Sequence, residues 1–148
     1  MAQVTRNRRI DASPGAIWEV LADFGALATW APNVDHSMVT TAQTEGPGAT
    51  RRVQAGRNVL LERIVDWEPG VTLAYEIDGL PHVVRRAENR WLLEPVDSGT
   101  QVTLTSTVDA GGRPPQKLVG AVVGRVLARV SDQLLDGLRV RMEGTSRV

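Results

Sequence analysis

Few side chains in this sequence have chemistry to offer. Two histidines, one tyrosine and no cysteine occur among 148 residues. The middle of the chain alternates like strands, and polar groups share parity there with apolar ones. His36 goes with Val34 and Met38, Arg51 with Val53, Tyr75 with Leu73 and Ile77, Arg85 and Asn89 with Ala87, and Ser106 with Leu104. An inward arginine suits a developing enolate or oxyanion, a tyrosine exchanges protons with a carbonyl oxygen, and a histidine of ordinary pKa about 6.5 serves as base. Arg51, Tyr75 and His36 are therefore the catalytic candidates. Trp30 and Trp91 are expected as aromatic walls, Trp30 either as a lid or in the core. The Tyr75 hydroxyl has two expected partners, a ligand carbonyl or a side chain on a neighbouring strand. An arginine turned inward needs a counter-charge, and Glu62 on the adjacent strand is the expected partner of Arg51 or Arg85. The doublets Arg51-Arg52 and Arg85-Arg86 each put one member on either face, and a bulge would exchange them.

Other chemistries find little support. His36 and His82 lie far apart with no ligand-spaced carboxylates, so no metal site is expected. Neither a Gly-x-Ser-x-Gly elbow nor a cysteine is there to act as nucleophile. The Gly46-Pro47-Gly48 turn lacks the lysine and following helix of a phosphate-binding loop. Basic and acidic residues number 17 each, so no net field steers the chain toward nucleic acid. Leu118–Val130, the most apolar run, is interrupted by Arg125 and Arg129 and falls short of a membrane span. The cytoplasm is the expected location, without a cofactor, and the arginine-, alanine- and valine-rich usage suggests a bacterial source. A length of 148 residues fits one domain, 1–148.

These groups need a frame to hold them. Val4–Ile10 alternates as a strand. Ser13 and Pro14 write a helix start, and Ile17, Val20, Leu21 and Phe24 give that helix one apolar face. Gly25–Ala31 adds a further turn before Pro32. Strands follow at Val34–Thr41, with Val34, His36, Met38 and Thr40 inward, and at Ala49–Ala55, Val59–Trp67, Val71–Asp78, Val83–Val96 and Gln101–Val108, separated by Gly- and Pro-marked turns. Ala110–Pro115 links to one long helix, Pro115–Met142. Its stripe of Leu118, Val122, Val126, Val130, Leu134 and Leu138 demands a large apolar partner. Gly120 and Gly124 inside it cost helix stability, so they serve either close packing or space for a ligand. On the second reading, Gly124→Leu blocks binding before it abolishes folding. Hairpin-linked strands and a helix of this length give an α+β domain whose curved antiparallel sheet wraps the helix.

That order resembles the START/polyketide-cyclase superfamily, the helix-grip fold shared with birch-pollen allergens. The resemblance is carried by Ser13, Pro14 and Trp18; by Asp23, Phe24, Trp30 and Pro32; by Gly46, Gly48, Ala49, Arg51 and Arg52; and by Glu62, Arg63, Trp67 and Pro69. Leu73 and Tyr75, then Gly99, Thr100, Val102 and Thr103, complete it, over residues 3–143. It implies a sheet of about six or seven strands round the C-terminal helix, short helices after the first strand, and a cavity between sheet and helix for lipids, polyketides or quinones. The expected function is binding or transport of an apolar small molecule by a monomer or homodimer, lined by Trp30, His36, Arg51, Glu62, Tyr75, Arg85, Trp91, Gly120 and Gly124. The alternatives are a cyclase, aromatase or dehydratase acting on a poly-β-keto chain, with an acyl carrier protein as partner, and a protein-interaction module.

Overall fold

A computed structural model describes residues 2–80, 84–109 and 114–145, with side-chain positions for 3–80, 84–109 and 124–144. His82, Val83, the linker at 110–113, the surroundings of Gly120 and the first two residues of the long helix's stripe, Leu118 and Val122, lie outside the described side chains.

The chain runs β1 (Ala2–Ile10), α1 (Pro14–Ala22), a short 3₁₀ segment (Phe24–Thr29), then β2 (His36–Val39), β3 (Thr50–Ala55), β4 (Asn58–Glu68), β5 (Thr72–Asp78), β6 (Arg86–Val96), β7 (Gly99–Asp109) and α2 (Pro114–Thr145). All neighbouring strands pair antiparallel in the order β1-β7-β6-β5-β4-β3-β2. α1 starts where its sequence says. Pro14 occupies the first turn, and Ser13 Oγ accepts the Ala16 N–H at 3.1 Å. Ser13→Ala is expected to cost about 1 kcal/mol, read as a lower urea midpoint at unchanged slope.

The concave face of the sheet follows the predicted alternation through most strands. Arg51 and Val53, Leu73 and Tyr75, Ala87, Asn89, Trp91 and Leu93, and Val102, Leu104, Ser106 and Val108 are all buried. A register shift between Ile64 and Asp66 adds curvature to β4.

Two expected placements are corrected. In β2 the parity is reversed: His36 and Met38 are exposed, Met38 by 58%, while Ser37 and Val39 turn toward the protein. The reason is a polar anchor, since Ser37 Oγ accepts the Ala28 N–H and donates to the Gly25 carbonyl, both at 2.8 Å. That hydroxyl, with Val39 packed against the core on the same face, outweighs Met38, whereas Val34, ahead of the strand, packs against the core as expected. Arg85, predicted inside a strand starting at Val83, lies before β6 and is exposed, its backbone N–H bonded to the Asp109 carbonyl at 2.7 Å.

α2 spans 32 residues, about 48 Å at 1.5 Å per residue. Leu134, Leu135 and Leu138 are buried, each contributing about 1.5–3 kcal/mol of transfer free energy. Arg8 reaches from β1 to Asp132 and Asp136 at 3.3 and 3.0 Å, which fixes the helix's rotation more than its stability. Close packing on α2 rests also on Gly137. A Cβ there would meet the Trp30 carbonyl oxygen at 2.5 Å and Pro32 Cδ at 2.7 Å.

Candidate functional site

Arg51 and Glu62 stand directly opposite each other on β3 and β4. Arg51 Nε donates to Glu62 Oε1 at 2.7 Å, and Nη2 lies 2.7 Å from the same oxygen. Nη1 donates to the Phe24 carbonyl at 3.0 Å. The guanidinium carbon is 3.8 Å from the Phe24 ring centroid and 4.7 Å from that of Tyr75, two cation–π contacts in a desolvated setting, made with rings that themselves meet edge-to-face. The charge of this arginine is thus paired by Glu62, and each of its three nitrogens has a contact within the protein. The predicted pairing with Glu62 is the one observed.

From Tyr75 a row of polar groups crosses the sheet in register, Tyr75 opposite Asn89 and Asn89 opposite Ser106. Asn89 Nδ2 donates to Tyr75 Oη at 3.4 Å and Trp91 Nε1 donates to it at 3.3 Å. Ser106 Oγ donates to Asn89 Oδ1 at 2.6 Å, which leaves Ser131 of α2 as donor in its 3.2 Å contact with Ser106. Burial raises the Tyr75 hydroxyl's pKa above 10.0, the nearby Glu62 charge adds to this, and Arg51, Trp91 and Asn89 oppose it. The group is therefore neutral and a donor at physiological pH. Because its pKa is higher folded than unfolded, the stability it contributes is present below pH 10.0 and lost as pH rises past it. Tyr75 is the sole tyrosine. Tyrosinate absorbance should accordingly stay silent at pH 10.0 in the folded protein and emerge on unfolding.

Between this floor and α2 lies a cavity of about 310 Å³. Val126, Leu127, Val130 and Leu134 of α2 form one wall, and Val53, Leu60 and Ile77 of the sheet form the other. Leu27, Asn33 and Val34 close one end. Glu62, Tyr75 and Asn89 supply polar atoms, and Glu62 is the one charged side chain among the described residues bordering it.

The predicted site residues divide on this geometry. Glu62 and Tyr75 border the cavity; Arg51 sits beside them, held off by its own contacts. Trp30 and Trp91 pack edge-to-face, centroids 6.0 Å apart, and are core residues rather than cavity walls. His36 and Arg85 are on the outside. Gly124 is buried against β1, beside Val4 and Arg6, and does not border the cavity. A Gly124→Leu change is thus expected to disturb the β1–α2 contact. Sequence reasoning missed Asn33 and Ser131. Ser131 was legible, because it falls four residues from both Leu127 and Leu135 on the inner stripe. Asn33 follows Pro32 in a loop, where no periodicity points inward.

Comparison with known proteins agrees with this architecture. The family described as polyketide cyclase / dehydrase and lipid transport matches residues 1–143. The crystal structure of the Zhui aromatase/cyclase from Streptomyces sp. R1128 superposes with a TM-score of 0.78 at 22% identity, covering 96% of this chain and 93% of that one. A START superfamily protein from Mycobacterium smegmatis gives 0.78 at 15% identity, covering 97% and 98%. A solution structure from Thermobifida fusca gives 0.73 at 26% identity, covering 97% and 96%. No curated protein matches the sequence. A curved seven-stranded antiparallel sheet packed on a long C-terminal helix, and a family match over nearly the whole length, place the chain in the polyketide cyclase/dehydrase and lipid transport family.

Proposed function

We propose that this protein binds an apolar small molecule in the cavity between the sheet and α2. The observation that carries this reading is the cavity itself, about 310 Å³ with mostly aliphatic walls and a short polar floor. That composition is typical of small-molecule sites, where apolar area supplies affinity and a few polar atoms set orientation. The engagement of Arg51 by Glu62, Phe24 and Tyr75 favours binding over catalysis, because this arginine has no charge to spare for an oxyanion.

The test is titration with N-phenylnaphthylamine, whose fluorescence rises in apolar surroundings. Saturable binding is expected. Val130→Trp, which extends α2 into the cavity, should weaken it at least about tenfold, equivalent to 1.4 kcal/mol, while leaving the urea midpoint nearly unchanged. Unaltered binding in that variant would move the ligand elsewhere.

A second reading, cyclisation or dehydration of a poly-β-keto chain delivered by an acyl carrier protein, has support from the family description and from Tyr75 bordering the cavity. It predicts that Tyr75→Phe changes the product formed from such a chain, beyond the loss of stability of about 1–3 kcal/mol or more expected from leaving the Asn89 and Trp91 donors without an acceptor.

A further inference from the structure

The hydrogen bonding of the cavity floor is incomplete, and what remains open specifies a ligand. Both short contacts from Arg51 fall on Glu62 Oε1. Oε2 has no hydrogen bond to any described residue, although Glu62 borders the cavity and its side chain is only 8% exposed. An ionised carboxylate oxygen is purely an acceptor, and one that borders a mostly apolar cavity is matched by a ligand donor. Tyr75 stands in the complementary condition. Asn89 and Trp91 both donate to its oxygen, so its own proton has no acceptor among the described residues. The two groups are close: Glu62 lies opposite Ile77, two residues along β5 from Tyr75, and both pack on the one Arg51 guanidinium. At the cavity's end, Asn33 Oδ1 is a further buried acceptor without a partner among the described residues.

We infer that the ligand is an apolar molecule carrying a neutral hydroxyl, a phenol or alcohol, which donates to Glu62 Oε2 and accepts from the Tyr75 O–H. This rests on the reading of the cavity as a ligand site and narrows it. A ketone or an ether satisfies Tyr75 and leaves Glu62 without a donor. A carboxylate places like charge against Glu62. A hydroxyl, donor and acceptor at one oxygen, answers both.

The experiment is calorimetric titration of the full chain with naphthalene and four derivatives substituted at one ring position: naphthol, methoxynaphthalene, acetonaphthone and naphthoate. Naphthol is expected to bind at least about tenfold more tightly than each of the others, the discrimination typical of a buried polar group left unpaired by the wrong ligand. Glu62→Gln turns an amide donor toward the cavity and should abolish or reverse the preference of naphthol over methoxynaphthalene. Tyr75→Phe keeps the ring and should weaken naphthol while leaving naphthalene within about twofold. It decides the matter if the Glu62 variant does not fold. Equal binding of naphthol, methoxynaphthalene and acetonaphthone overturns the hydroxyl assignment and leaves the binding reading standing, as does tightest binding of naphthoate. Failure of all five to bind overturns both.

Discussion

Glu62→Ala is expected to lower the stability of the fold by about 3–5 kcal/mol, the cost of leaving a buried charge without its partner. Arg51 is 3% exposed, so its guanidinium cannot recover solvation in place. One backbone carbonyl and two ring faces would remain to it. A typical domain has a total stability of about 5–15 kcal/mol, and the variant should therefore unfold at a much lower urea concentration. The companion change is Arg51→Met with Glu62→Leu. Apolar replacement of a whole buried pair is often neutral or stabilising, so the double variant should regain most of the loss. A single variant within about 1 kcal/mol of the parent would show that the pair is hydrated and behaves as a surface bridge.

Gly137→Leu is expected to be comparably severe, with a loss of about 3 kcal/mol or more, above the usual range for overpacking. The obstruction is a backbone carbonyl and a proline ring, neither of which has a rotamer to move. Gly137→Ala makes the sign diagnostic. In an unobstructed helix, glycine to alanine gains about 1 kcal/mol; here the added Cβ drives α2 away from Trp30 and Pro32, and a loss of about 1–3 kcal/mol is expected. Gly144 is the control in the same helix, because a methyl group added there would meet nothing within 4 Å, and Gly144→Ala should stabilise. Denaturant titrations of the three variants decide it.

Wherever packing alone sets orientation, alternation in the sequence was a good guide. The inner faces of β5 and β7, the pairing of Arg51 with Glu62 and the cap at Ser13 all follow from parity, charge pairing and helix-start chemistry. The guide failed where a single hydrogen bond competes with a weak apolar signal. β2 is a short edge strand, and the Ser37 hydroxyl decides which face turns in, carrying His36 out with it. It failed again at a strand end, where parity continues on paper past the start of β6 and the Arg85 side chain emerges into solvent although its backbone N–H still bonds to Asp109. The tryptophans mark a third kind of limit. Size and polarity make Trp30 and Trp91 equally suited to core or cavity wall, and only their packing on each other in the folded chain distinguishes the two. Of the glycines singled out in α2, Gly124 is buried against β1 and away from the cavity, and Gly137, where the loop at Trp30–Pro32 meets the helix, is a further close approach that periodicity did not mark.

The central claim is that the space between the sheet and α2 receives a ligand, and its most direct test is a crystal structure of the chain grown with naphthol. The expected result is ring density between Val130 of α2 and Val53 and Ile77 of the sheet, with the hydroxyl in hydrogen-bond contact with Glu62 Oε2 and Tyr75 Oη. An empty or collapsed cavity with naphthol bound on the outer surface would contradict it.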